Sequence, residues 1–161
     1  MVESTRVTEV LDKAKVPYQF MWDTTTGLVS GMDIARGLKA EPERVFKTLV
    51  MGNKKKGCYY VFMIPVNRRI DAKKAKAITG ERLSFASAEE LAEETGYEQG
   101  GCSPIGTTKN LYVYFDTSAG NFERIIFGAG ENSYHVEVRL EDLKDVINFE
   151  LADIAGDLLE E

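Results

Sequence analysis

VFKTLVM (residues 45–51), GNKKKG (52–57) and CYYVFMIPV (58–66) form two apolar runs, rich in β-branched and aromatic residues, on either side of a glycine-bordered basic turn. That pattern reads as a β-hairpin with a charged tip. Pro65 belongs at a strand end or on an edge, because it has no N–H to give to a ladder. Strand alternation puts Lys47 on the same face as Val45, Leu49 and Met51, where a cation costs free energy unless it meets an anion or sits at a cleft. A lysine that snorkels to water or guards a bare edge is the other reading. Thr48 points the opposite way.

Working outward, Ser4 or Thr5 caps a helix carrying Val7, Val10, Leu11 and Ala14 on one face, with Pro17 ending it. A strand over 18–22 follows, and Ser30 with Asp33 opens a short helix running to Leu38. Beyond the hairpin, Asp71 caps a helix over 72–78 that Gly80 stops. A brief strand at 83–85 precedes a helix over 88–95, capped by Ser87 with Glu90 and ended by Gly96. Residues 100–106 (GGCSPIG) lose all periodicity and form a shaped loop. Strands are expected at 111–115, 124–127 and 134–140, then helices near 143–147 and 151–159. The sum is a mixed α/β (α+β) fold, one domain spanning 1–161, around a mixed sheet of about six or seven strands.

With 161 residues, 43% of them apolar and 29% charged, the chain is long enough to bury a core without a disulfide or metal staple. Cys58 and Cys102 lie far apart, and His135 is the only histidine, so no Cys/His metal site is expected. No cofactor is implied. No apolar stretch reaches membrane-spanning length and no leader pattern opens the chain, which points to a cytoplasmic protein without a membrane partner. The net charge of −6 hides a division. Between Arg44 and Arg82 stand eleven basic residues against Asp71 and Glu81, which leaves the rest of the chain strongly acidic. Such asymmetry offers a polyanion a positive face; a solvated lysine-rich surface is the plainer alternative.

Four features could carry chemistry. Lys47 is the first. The loop with Gly100, Gly101, Cys102, Ser103, Pro104 and Gly106 is the second, because glycines let backbone N–H groups approach a ligand closely; a tight connection is its structural alternative. Cys102 is either a nucleophile or a small buried hydrophobe. His135, alternating with Val136 and Val138 in a strand, is open to acid/base work or to packing. Gly128 and Gly130 follow a strand but lack the full spacing of a phosphate loop. Kinase, zinc-protease and hydrolase-elbow motifs are missing.

Three segments together, Val45-Phe46-Lys47-Thr48-Leu49, Pro65-Val66-Asn67-Arg68-Arg69-Ile70-Asp71-Ala72-Lys73-Lys74 and Gly100-Gly101-Cys102-Ser103-Pro104-Ile105-Gly106, resemble the YbaK-type aminoacyl-tRNA deacylases, relatives of the editing insertion domain of bacterial prolyl-tRNA synthetases. The likeness covers the chain from about Lys39 onward; residues 18–26 depart from the pattern. It implies a compact fold around a barrel-like sheet and hydrolysis of mischarged aminoacyl-tRNA, with Cys-tRNA or Ala-tRNA of the proline type as the expected substrate. The family's essential lysine falls on Lys47 and its G-x-x-x-P loop on Gly100 to Pro104. Thr48, Gly128, Gly130 and His135 join the expected substrate site. Cys102 stands where relatives carry an aliphatic residue or threonine. Lys54, Lys55, Lys56, Arg68, Arg69, Lys73 and Lys74 would meet the tRNA acceptor end, and prolyl-tRNA synthetase or an elongation factor would supply tRNA identity. A non-catalytic module binding aminoacyl-tRNA or a nucleotide-like ligand is the rival reading.

Overall fold

The computed structural model describes residues 2–23 and 30–159. Strands β2 (Phe46–Asn53) and β3 (Cys58–Pro65) pair antiparallel along their whole length, Phe46 opposite Pro65 and Asn53 opposite Cys58. The Val66 N–H donates to the Val45 carbonyl at 2.8 Å, so the hydrogen-bonded pairs of this ladder fall on the odd positions of β2. Phe46 and Pro65 therefore form a non-bonded pair. The N–H that proline lacks is not missed there.

The hairpin is the middle of a five-stranded mixed sheet. On one side β3 pairs parallel with β6 (Tyr112–Asp116), which pairs parallel with β9 (Phe149–Ala152). On the other side β2 meets β5 (Ser84–Phe85) only at Met51 and Gly52. A second sheet orders β1 (Tyr18–Trp22), β8 (Tyr134–Arg139) and β7 (Arg124–Gly128), and a third joins β4 (Arg68–Ile70) to β10 (Ala155–Leu158). The mixed α/β class holds. Within the described residues, however, ten strands in three sheets stand where one barrel-like sheet of six or seven was expected. The two larger sheets touch through one parallel bridge, Val45–Ile126.

Helix starts follow their caps. Thr5 accepts from the Thr8 N–H to open α1 (Arg6–Lys13), Ser30 from Asp33 for α2 (Gly31–Leu38), Asp71 from Lys73 and Lys74 for α3 (Ala72–Thr79), and Ser87 from Glu90 for α4 (Ala88–Thr95). Gly80 and Gly96 end α3 and α4 in the left-handed conformation. The first helix stops before Pro17, the chain turning through Lys15 at φ 59°. Residues 24–26 of the stretch that departs from the family pattern lie outside the described residues.

The C-terminal reading is corrected. Residues 140–145 form a 3₁₀ turn, and in place of a helix over 151–159 the chain makes β9 and β10. The cause is tertiary. The buried carboxylate of Asp116 accepts the Ile154 and Ala155 N–H groups at 3.1 and 2.9 Å, and Arg68 donates to the Gly156 carbonyl at 3.0 Å, bending the tail onto β4. Ile154 is fully buried beside Phe62, Ile64 and Ala75 of the cluster under α3.

The main core packs Phe46, Val61, Phe115, Ile125, Phe127 and Val136 between the two larger sheets. A smaller cluster of Ala35, Val45, Val66 and Ile126 lies under α2. That cluster floors the site described next.

Candidate active site

Past the Val45–Ile126 bridge, β2 and β7 diverge. Lys47 and Gly128, each two residues beyond the bridge, line a cavity of about 220 Å³ between the strands. Gly31 and Ile34 of α2 form one wall, with Val66 beside them. Gly100 and Cys102 form another, and Thr48 and His135 complete the lining. Arg44 and Glu137 form a largely buried ion pair that ties the turn before β2 to β8.

Lys47 is half-buried, and no carboxylate pairs with it among the described residues. Burial, and after it the positive charge of Arg69, lowers its pKa from the usual lysine range. A desolvated cation beside a second cation is arranged to receive an anion. Strand alternation does set Lys47 on the face of Leu49 and Met51, which pack in the cluster under α3; Val45 lies just before the strand and faces α2.

The loop divides in two. Gly100, at φ 89°, lies so close to Asn132 that an added Cβ would fall 2.5 Å from its Oδ1. A Cβ on Gly128 would fall 2.6 Å from the Cys102 carbonyl oxygen, so the loop crosses β7 only because that residue is glycine. The other half is held away from the cavity. Tyr97 donates its hydroxyl to the Ile105 carbonyl at 2.6 Å, and Arg6 donates to the Gly106 carbonyl at 3.0 Å. Ser103 is fully buried, its Oγ accepting from the Ile105 N–H at 3.3 Å, while Pro104 and Gly106 line a separate hollow of about 470 Å³. Gly130 packs against Tyr97 and Val7. The Gly101 N–H donates to the Glu98 carbonyl at 3.0 Å, so it is already committed.

Burial pushes the Cys102 thiol up to about 11. A thiol held neutral in this way is a poor nucleophile at neutral pH. Burial likewise holds His135 down at about 4 despite the nearby charge of Asp23, so the ring is neutral at pH 7, and its buried Nδ1 has no hydrogen-bond partner among the described residues. Among the described residues no cluster of His, Cys, Asp or Glu could hold a metal ion. Among the same residues no helix is long and apolar enough to cross a membrane.

The expected tRNA-facing cations are dispersed. Arg69 is exposed and acts on Lys47, whereas Arg68 is bound to the Gly156 carbonyl and Lys74 to Asp153 and the Ala155 carbonyl. Lys54, Lys55 and Lys56 sit at the hairpin tip, just past the end of β2 and seven residues or more from Lys47, about 23 Å at strand rise. Lys56 pairs with Glu81, and Lys73 stands in the first turn of α3. Gly31, Ile34, Val45, Phe46 and Val66 also line the cavity, though none was expected as a site residue. The capping box at Ser30 was the one local sign that α2 begins there.

Comparison with known proteins identifies the family. The sequence profile described as "Aminoacyl-tRNA editing domain" matches residues 29–146. A candidate Cys-tRNA(Pro)/Cys-tRNA(Cys) deacylase of Enterococcus faecalis, EbsC, is 33% identical over 156 residues, covering 94% of this chain and 93% of that one. A proline–tRNA ligase of Bacillus licheniformis is 27% identical over 123 residues, 76% of this chain but 21% of the ligase. The crystal structure of a candidate trans-editing enzyme for prolyl-tRNA synthetase shares the fold, with a TM-score of 0.81 at 22% identity over 94% of this chain and 96% of that one. A match over most of the chain, joined to a near full-length relative, places the protein: it belongs to the aminoacyl-tRNA editing domain family, hydrolases that remove a wrongly attached amino acid from tRNA.

Proposed function

We propose that this chain deacylates Cys- or Ala-charged tRNA of the proline type, acting in trans, and that the cavity beside Lys47 receives the aminoacylated 3′ end. The observation that carries the reading is the half-buried, carboxylate-free Lys47 on a cavity bordered by the Gly100–Cys102 loop segment. Lys47 and Arg69 together hold the phosphate next to the terminal ribose, and the amino acid enters between β2 and β7. Lys54, Lys55 and Lys73 meet the acceptor stem, with prolyl-tRNA synthetase or an elongation factor supplying tRNA identity.

An aminoacyl ester is already activated, so positioning and charge stabilisation are what the site must add. Water, its proton taken up by way of the adjacent ribose hydroxyl, attacks the carbonyl carbon. The C–O bond to the ribose breaks and that oxygen leaves protonated. With a cysteinyl group the substrate's own thiol can attack instead, closing a thiolactone and releasing the same ribose oxygen. Neither route asks a base or nucleophile of the protein, in keeping with a neutral buried Cys102 and a neutral His135.

A deacylation panel with Cys-, Ala-, Ser- and Pro-charged tRNAs tests the reading. The parent protein should shorten the ester lifetime of Cys- or Ala-tRNA, and Lys47→Ala should lose about 100-fold or more in kcat/KM while melting near the parent temperature. Equal rates for the two proteins would remove Lys47 from the mechanism. Protection of every ester would make the protein a binder.

A further inference from the structure

We infer that the ion pair between Arg44 and Glu137 is the spacer that sets the width of the cavity between β2 and β7, which makes both of them positioning residues that limit the size of the aminoacyl group admitted. The inference rests on the deacylase reading and adds to it what decides which esters fit.

The pair joins the two walls of the cavity beside the bridge between them. Arg44 closes the 3₁₀ turn Pro42–Arg44, and Val45, which follows it, makes the parallel bridge to Ile126. On the other wall the β7–β8 ladder sets Ile126 opposite Glu137 and Gly128 opposite His135. Side chains two residues apart on a strand share a face, so Glu137 and His135 lie on one face of β8, about 7 Å apart at strand rise. From Arg44 the chain reaches Lys47 in three residues. Lys47, Gly128 and His135 line the cavity, and Arg44 and Glu137 tie its walls one step short of them.

Stability alone gives little reason for the pair. Its side chains are only 22% and 15% exposed, and Val45 and Ile126 beside it are buried. Withdrawing two charges from water offsets most of their attraction, so packed apolar side chains of similar size would hold the walls as firmly. What they would not supply is a fixed length. Apolar attraction has no preferred direction, whereas a hydrogen-bonded ion pair holds its donor and acceptor at one separation. Because β2 and β7 diverge from the bridge, a small change of spacing beside it is carried outward to Lys47 and His135. In a cavity of about 220 Å³ that change matters, since room for one methylene more or less alters selection about 10- to 200-fold.

The test removes both charges at once. Arg44→Met/Glu137→Leu should melt near the parent temperature, because no unpaired charge is left behind. With one tRNA of the proline type charged in turn with Ala, Cys and Pro, we expect the ratio of kcat/KM for Ala-tRNA to that for Pro-tRNA to fall about 10-fold or more in the double variant. A pair that only stabilised the fold would slow every ester alike and leave that ratio unmoved, since a ratio is independent of the fraction of active protein. Glu137→Gln keeps the shape and an acceptor while removing the charge; it covers the case in which the apolar pair does not fold, and its ratio should fall in the same direction. Hydrogen exchange reads the spacing without turnover: in either variant the amides of 45–48 and 124–128 should lose protection while the rest of the two sheets keeps it. An unchanged ratio in a folded variant overturns the inference, as does unchanged exchange at these amides. If the parent cleaves no ester, the deacylase reading fails by itself and the exchange still decides whether the pair sets the spacing.

Discussion

Cys102 and His135 show how burial alone settles a side chain's chemistry. Both sit where a catalyst could sit, and both are kept uncharged by desolvation. Cys102→Ala should therefore retain at least a tenth of the parent kcat while altering the preference between Cys- and Ala-tRNA, because it reshapes a wall and removes no reacting group; trapping of an acyl-cysteine would contradict this. For His135 the consequence is a pH-dependent stability. Its pKa of about 4 in the fold lies below the usual 6.5, so between those values the unfolded chain binds the proton and the folded one does not. Stability is full above pH 6.5 and declines by roughly 3 kcal/mol as the pH falls toward 4. Urea midpoints at pH 7 and pH 4.5 should converge in His135→Gln relative to the parent. The lysine was legible in the sequence because its alternation broke an apolar face. The state of the thiol was not, since no neighbour in the chain says that Cys102 will be covered.

At the scale of elements, local signals succeeded where the chain satisfies its own backbone. The residues named as caps of α2, α3 and α4 do cap them, and Thr5 proves to be the cap of α1. The tail failed for the opposite reason. LADIAGDLL (151–159) has helix-forming composition, yet its N–H groups are claimed by a carboxylate 38 residues away and its strands by β6 and β4, contacts no window can see. The same lesson applies to Gly128, read from its spacing as part of a weak phosphate loop and from the resemblance as part of the substrate site, whose job in the fold is to let the Cys102 carbonyl pass. Gly128→Ala should cost about 1–3 kcal/mol in denaturant unfolding, as an overpacked contact does, and lower kcat/KM by displacing the loop wall. Since the clash is with backbone, suppression by Cys102→Ala is not expected; restored activity in that double variant would place the clash on the side chain instead.

Across the whole molecule, the basic segment is not one patch but a hairpin tip, an exposed Arg69 near Lys47, Lys73 on α3 and cations already bound to protein groups. Of the tip, Lys54 and Lys55 form no salt bridge among the described residues, although Lys54 lies near enough to Glu90 to act on it. The Lys54→Ala/Lys55→Ala pair should raise KM for full-length tRNA, leave kcat alone, and flatten the slope of log affinity against log salt by about 0.9 per lost phosphate contact. A short acceptor-end oligonucleotide that cannot reach the tip should be indifferent to the double substitution. An unchanged salt slope on intact tRNA would remove the tip from the interface.

Because the one backbone bridge between the two larger sheets among the described residues lies at Val45 and Ile126, the hollow beside β2 and β7 narrows to that end like a wedge. A wedge admits the tip of a long molecule and stops whatever follows. Under the proposed function the cargo is inspected inside, and the nucleotides that give a tRNA its identity stay outdoors.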